Sequence, residues 1–248
     1  MPGCPCRAQK HAFHVSPPPC LYVSSKQARI DAIADAAADW REPDHPPRET
    51  AVADTLEAPN RWTEEALDYA LNRWMQRLTP EALVDWLGDG GPAAQATVGV
   101  VHGPSGPLVG LRDAVAVWAE GHTYLGHAPD ASPALLPAFA RAVTDRADGI
   151  DATFVETAAL LDRASAVTAQ PARDDAGAIR EACDDHGIPA DRRLVRPSQR
   201  AVAVLDGHEG DEAQGGLAED ALLYEGGGHR RLALLWAPSG LSPDACLE

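Results

Sequence analysis

From Thr97 onward the chain alternates between β-rich runs and amphipathic helical stretches, and this alternation constrains the fold more than any other feature. Residues 97–101, 123–125, 153–155, 164–168, 194–195, 201–205 and 232–236 read as strands. Residues 108–119, 133–146, 176–186 and 211–224 read as helices, with Gly187 ending the third. Two parallel strands need a crossover of a dozen residues or more between them, and the helices supply it. The order predicts an α/β fold: a mostly parallel sheet with helices on both faces, preceded by N-terminal helices. Sheets of this kind take ligands beyond the carboxyl ends of their strands, where the loop 102–107 falls.

The region before the sheet reads differently. Residues 25–40 are alanine-rich, with Ile30, Ile33 and Ala37 at helical spacing and Ser24 or Ser25 as the cap. Residues 41–61 hold four prolines and read as a connection. Thr63 caps a predicted helix running to about Arg77, with Leu67, Ala70, Leu71 and Trp74 on one face. Thr79-Pro80-Glu81 opens another, with Pro80 at its first position. Trp62, Trp74, Trp86 and Trp118 read as core or helix-contact residues, His122 and Tyr124 as packing or strand-end residues, and Arg112 and Asp113 as a solvated or locally paired stretch. Residues 1–24 read as an irregular leader.

Charge narrows the partners. The 248 residues are 45% apolar, enough for a sizeable core, and carry 21 basic against 37 acidic residues, a formal net charge of −16. Lysine occurs only at Lys10 and Lys26. A surface this acidic repels phosphate backbones and anionic membranes, so neither nucleic acid nor membrane is an expected partner. It suits a protein kept soluble in concentrated salt. The five cysteines are odd in number and three fall within the first 20 residues, which points to a reducing cytoplasm rather than a disulfide framework. No signal-peptide stretch opens the sequence. Cys4, Cys6, His11, His14 and Cys20 are zinc-ligand types at spacings that match no familiar finger, so no metal is expected.

Three loops carry candidate chemistry. In the first, 102–107, a strand-to-helix turn can offer backbone N–H groups to an anion, or serve as a tight connection alone. In the second, Asp206-Gly207 closes the strand 201–205; Asp206 reads as a base, a ribose contact, or half of an Asp-Gly turn. In the third, Gly226-Gly227-Gly228 precedes His229, which reads as a general base, a ligand or a solvated loop residue.

The order of blocks also carries a resemblance. Gly106-Pro107-Leu108-Val109-Gly110-Leu111-Arg112-Asp113 is followed by Gly121-His122-x-Tyr124-Leu125-Gly126. Pro133-x-Leu135-Leu136-Pro137 comes next, then Ala201-Val202-Ala203-Val204-Leu205-Asp206-Gly207 and the Gly-Gly-Gly-His-Arg loop. Upstream, Asn60-Arg61-Trp62-Thr63-Glu64-Glu65 and its two helices fit as well. From about residue 25 to 238 the chain resembles the acyl-CoA reductase family of the aldehyde dehydrogenase superfamily, which includes the long-chain fatty acyl-CoA reductases of bacterial bioluminescence. The resemblance implies reduction of a fatty acyl-CoA to aldehyde by NADPH or NADH; apart from it, a protein partner that covers exposed apolar strand edges, or a homo-oligomer, is a further expectation. In that family a cysteine thiolate attacks the acyl carbonyl, CoA leaves, and hydride releases the aldehyde.

Carried over position by position, the resemblance assigns the cofactor to Gly106, Pro107, His127, Thr168, Asp206 and Gly207. It places His229 where the family has its nucleophilic cysteine. Other positions depart too: His127 stands for a lysine, and Thr168-Ala169-Gln170-Pro171 for a Thr-Gly-Ser turn. Cys183 and Cys246 are not obvious substitutes for the nucleophile. The resemblance divides the chain into leader 1–24, helical segment 25–92, cofactor-binding-type domain 93–225, and at 226–248 the start of a catalytic domain that it implies is incomplete. It thus implies descent and fold together with an altered reaction centre, the alternative being a catalytically inactive nucleotide-binding or partner-binding module.

Overall fold

Lys26–Asp39 forms α1, and its N-cap Ser25 accepts a hydrogen bond from the Ala28 amide at 3.1 Å. The structure, a computed structural model, describes residues 24–90, 94–103, 106–171, 175–197, 201–222 and 232–238. Four helices precede the sheet: α1, α2 (Pro46–Leu56), α3 (Glu64–Met75) and α4 (Pro80–Leu87). Thr63 and Thr79 cap α3 and α4 as their sequence positions predict.

The stretch 41–61, read as a connection, holds α2. Its prolines do not forbid this: Pro46 and Pro47 occupy the first turn, where no intrahelical N–H bond is lost. Arg48 fixes the helix from inside. Its fully buried guanidinium donates to the Trp40 carbonyl at 2.8 Å, to Asn72 Oδ1 at 3.0 Å and to Asp68 Oδ1 at 2.6 Å.

Five strands follow: β1 (Thr97–His102), β2 (Thr123–Gly126), β3 (Ala152–Phe154), β4 (Ala166–Gln170) and β5 (Arg193–Val195). They form one wholly parallel sheet in the order β3-β2-β1-β4-β5. Its crossovers hold α5 (Leu111–Ala119), α6 (Leu135–Thr144), α7 (Thr157–Arg163) and α8 (Ala176–Asp185). Helix α7 fills the interval between the expected strands 153–155 and 164–168. A second, two-stranded parallel sheet pairs β6 (Ala201–Val204) with β7 (Leu232–Trp236) around α9 (Asp211–Leu222).

Each face of the five-stranded sheet has its own core. On one, Trp40, Trp118, Tyr124 and Phe139 join α1, α5 and α6 to the strands, with Trp40 edge-on to Phe139 at 5.3 Å. On the other, Leu125, Leu160, Val167 and Cys183 pack beneath α7 and α8. Gly99 allows that second contact, because a Cβ there would lie 2.5 Å from Leu160 Cδ2. No described helix is long and apolar enough to cross a membrane.

Candidate functional site

Chain direction changes at the centre of the sheet. From β1 it runs outward to β2 and β3, then returns past β1 to β4 and β5. The crossovers leaving the carboxyl ends of β1 and β4 therefore lead to opposite faces of the sheet, which makes this the topological switch point, the crevice position where open α/β sheets take ligands. His102 ends β1 and pairs in register with Gln170, which ends β4; the Gly103 amide donates to the Gln170 carbonyl at 3.2 Å.

The turn from β1 into α5 is built around His102. Leu108, at φ 57°, and Gly110, at φ 87°, both take left-handed backbone. Glycine is required at 110 twice over: for that φ, and because a Cβ would stand 2.7 Å from His102 Cδ2. Leu108 adopts the same region without glycine's freedom, its side chain buried in the core.

His102, Asp113 and Arg196 come together on this face. His102 Nε2 lies 3.5 Å from Asp113 Oδ2, and Arg196 Nη2 lies 2.6 Å from Asp113 Oδ1. The His102 and Asp113 side chains are 6% and 13% exposed, whereas Arg196 is 40% exposed. One carboxylate in the first turn of α5 thus faces a buried imidazole on one oxygen and an accessible guanidinium on the other. Such a group can orient the imidazole and hold a cation at the crevice edge. Asp113 is therefore not part of a solvated stretch: its partners come from β1 and from beyond β5. No local pattern marks this cluster; its only sequence signal is polar residues at strand ends.

Gly106 and Pro107 lie in the β1–α5 turn, and His127 directly after β2, its Nδ1 3.3 Å from the Val155 carbonyl oxygen. All three stand at the carboxyl edge. Thr168 is inside β4, in register with Val100 and Leu194; its buried hydroxyl has no hydrogen-bond partner among the described residues. The stretch read against a cofactor turn is thus strand as far as Gln170. Asp206 and Gly207 follow β6, in the other sheet. Asp206 Oδ1 accepts from the His208 amide at 2.8 Å, and Gly207 has φ 86°, an Asp-Gly turn geometry. His229 lies outside the described residues, as do Cys246 and the Cys4–Cys20 cluster. Cys183 is buried in α8, and burial raises its thiol pKa, partly offset by Arg193. A buried thiol of that kind is a poor nucleophile. Among the described residues no group of three or more His, Cys, Asp or Glu side chains could hold a metal ion.

No protein-family model matches the sequence, and no curated protein does either. Solved structures do match. A salicylaldehyde dehydrogenase from Pseudomonas putida G7 superposes with a TM-score of 0.60 at 10% identity, over 90% of this chain and 50% of that one. A methylmalonate-semialdehyde dehydrogenase from Oceanimonas doudoroffii gives 0.62 at 14% identity, over 90% and 54%. An NADP dependent enzyme of E. coli gives 0.61 at 11% identity, over 92% and 52%. The fold is that of the aldehyde dehydrogenases. The chain spans about half the length of these structures. Within the aldehyde dehydrogenase fold, the His102–Asp113–Arg196 cluster sits at the carboxyl edge of the five-stranded sheet.

Proposed function

We propose that this chain is an NAD(P)H-dependent oxidoreductase of the aldehyde-forming kind, acting on a fatty acyl-CoA at the carboxyl edge of its five-stranded sheet. The observation that carries the reading is the topological switch point between β1 and β4 in a fold shared with aldehyde dehydrogenases. The finer assignment to acyl-CoA reduction rests on the sequence resemblance. An E. coli enzyme of the same fold is NADP dependent, which favours the same cofactor class here.

The residues present fit a nicotinamide dinucleotide. The Gly106-Pro107 turn and the His127 imidazole stand at the carboxyl edge, and deeper in β4 the buried Thr168 hydroxyl has no partner among the described residues. These residues would hold the cofactor, which supplies hydride when bound. The protein's own part is positional. Asp113 orients His102 and keeps the positive charge of Arg196 at the crevice, suited to an anionic group of cofactor or substrate. His229, at the position of the family's cysteine, would attack the acyl-CoA carbonyl through an imidazole nitrogen: an N–acyl bond forms as the thioester C–S bond breaks, and CoA leaves as the thiol with the imidazole's proton. Acyl-imidazoles hydrolyse readily, so slow acyl-CoA hydrolysis accompanies or replaces aldehyde formation.

The deciding experiment is calorimetric titration of the full chain with NADPH and NADH at low and high salt, followed by acyl-CoA-dependent NADPH oxidation. Saturable binding with turnover lost in His229→Ala supports the reading. A folded protein that binds neither nucleotide overturns it. A second reading, a module that binds a partner without catalysis, is favoured by the exposed apolar side chains of the small sheet: Val202, Val204, Leu234 and Trp236. A monodisperse monomer in light scattering counts against self-association through that sheet.

A further inference from the structure

We propose that the cleft between α3, α4 and α5 binds a small aromatic carboxylate. The cleft is open to solvent and holds about 200 Å³. Buried Leu83 and Val115 line it together with the indoles of Trp74 and Trp86 and the side chains of Arg77 and Arg112. An apolar cavity of about 150 Å³ is known to accept a benzene ring, so this volume suits one ring with a short substituent. It is too small for a long acyl chain or a dinucleotide.

Charge supplies the second half of the argument. Arg48, Arg73, Arg146, Arg193 and Arg196 each meet a carboxylate. Among the described residues Arg77 and Arg112 meet none; the same holds for Arg41, Arg141, Arg163, Arg180 and Arg192, and what sets this pair apart is that both line one apolar cleft. The guanidinium of Arg112 instead lies over the Trp86 ring, 5.2 Å from its centroid. Trp86 itself is 40% exposed, so of the two expected roles, core or helix contact, it takes the second, meeting Arg112 of α5. Two guanidiniums at the rim of an apolar, indole-lined cleft attract a carboxylate, and a fork of N–H donors can bind both of its oxygens. A planar ring packs edge-on or offset against the two indoles, one face of Trp86 being taken by Arg112. A cationic ligand is repelled by the same rim. This site is independent of the cofactor reading: Asp113 turns towards His102 and Arg196, while Arg112 turns towards Trp86.

The test uses the full chain labelled with nitrogen-15, following the indole N–H signals of Trp74 and Trp86. Phenylacetate is the probe, with phenylacetamide and benzylamine as controls. Phenylacetate should shift both signals saturably, and benzylamine should leave them in place. Phenylacetamide, and phenylacetate added to the R77Q/R112Q double variant, should bind at least about tenfold more weakly, the effect of losing a charged hydrogen-bond pair. Both arginines are exposed, so the variant's circular dichroism should match the parent's. Equal shifts with phenylacetate and benzylamine, shifts that never saturate, or unchanged affinity in the double variant would each overturn the proposal. Should the variant fail to fold, the three-ligand comparison on the parent chain still decides.

Discussion

Gly110 bears on both backbone and site. Gly110→Ala meets a left-handed φ and the His102 ring together, and should lower unfolding free energy by about 1–3 kcal/mol in urea titrations. An unchanged midpoint would mean that the β1–α5 turn is not held as described. Two buried acids make stability depend on alkaline pH. Burial, with the Asp113 charge second, raises the Tyr124 hydroxyl above its ordinary 10.0, and burial chiefly raises the Cys183 thiol above 9.0. Each group favours the folded state fully while pH is below its unfolded value, and that contribution is lost as pH rises through the folded one. Stability should therefore fall above about pH 9, and the parent should lose ground to Tyr124→Phe between about pH 8 and pH 11. A parent–variant difference independent of pH would refute the assignment to Tyr124.

At the scale of elements, what was legible depended on how local the signal is. Thr63 and Thr79 announce α3 and α4 because a cap acts over three residues; Thr63→Ala should cost about 1 kcal/mol in thermal or urea unfolding. Helix α2 was hidden because proline density counts against a helix, whereas proline position does not: Pro46 and Pro47 sit where prolines are tolerated, and the anchor Arg48 finds its partners in α3 and at the end of α1. Helix α7, seven residues long with no capping side chain, is too short to show a helical period. Strand–helix alternation predicted a parallel sheet, but strand order and the split into two sheets depend on contacts far apart in sequence. The same holds at the site. Gly106, Pro107 and His127 could be placed at strand ends from the chain alone. The pairing of Asp113 with Arg196 spans 83 positions and emerges only when β5 docks beside β4.

For the molecule as a whole, a net charge of −16 means self-repulsion in the folded state, which salt screens. The midpoint of thermal unfolding should rise between about 0.1 and about 1 M KCl, over which the screening length shortens from roughly 10 to roughly 3 Å. A flat or falling midpoint would show that the acidic residues are already neutralised by their neighbours. The position of β1 has a further consequence, for the order of events during synthesis. β1 is the hub of the sheet: β2 follows it closely, but β4, its other neighbour, is made some 68 residues after β1 begins, as the bond from the Ser165 amide to the Thr97 carbonyl records. A nascent chain that has reached only α6 can pair one side of β1 and leaves the other side open. For that interval the growing polypeptide carries an unsatisfied apolar strand edge, the situation in which emerging chains pair wrongly and call on chaperones.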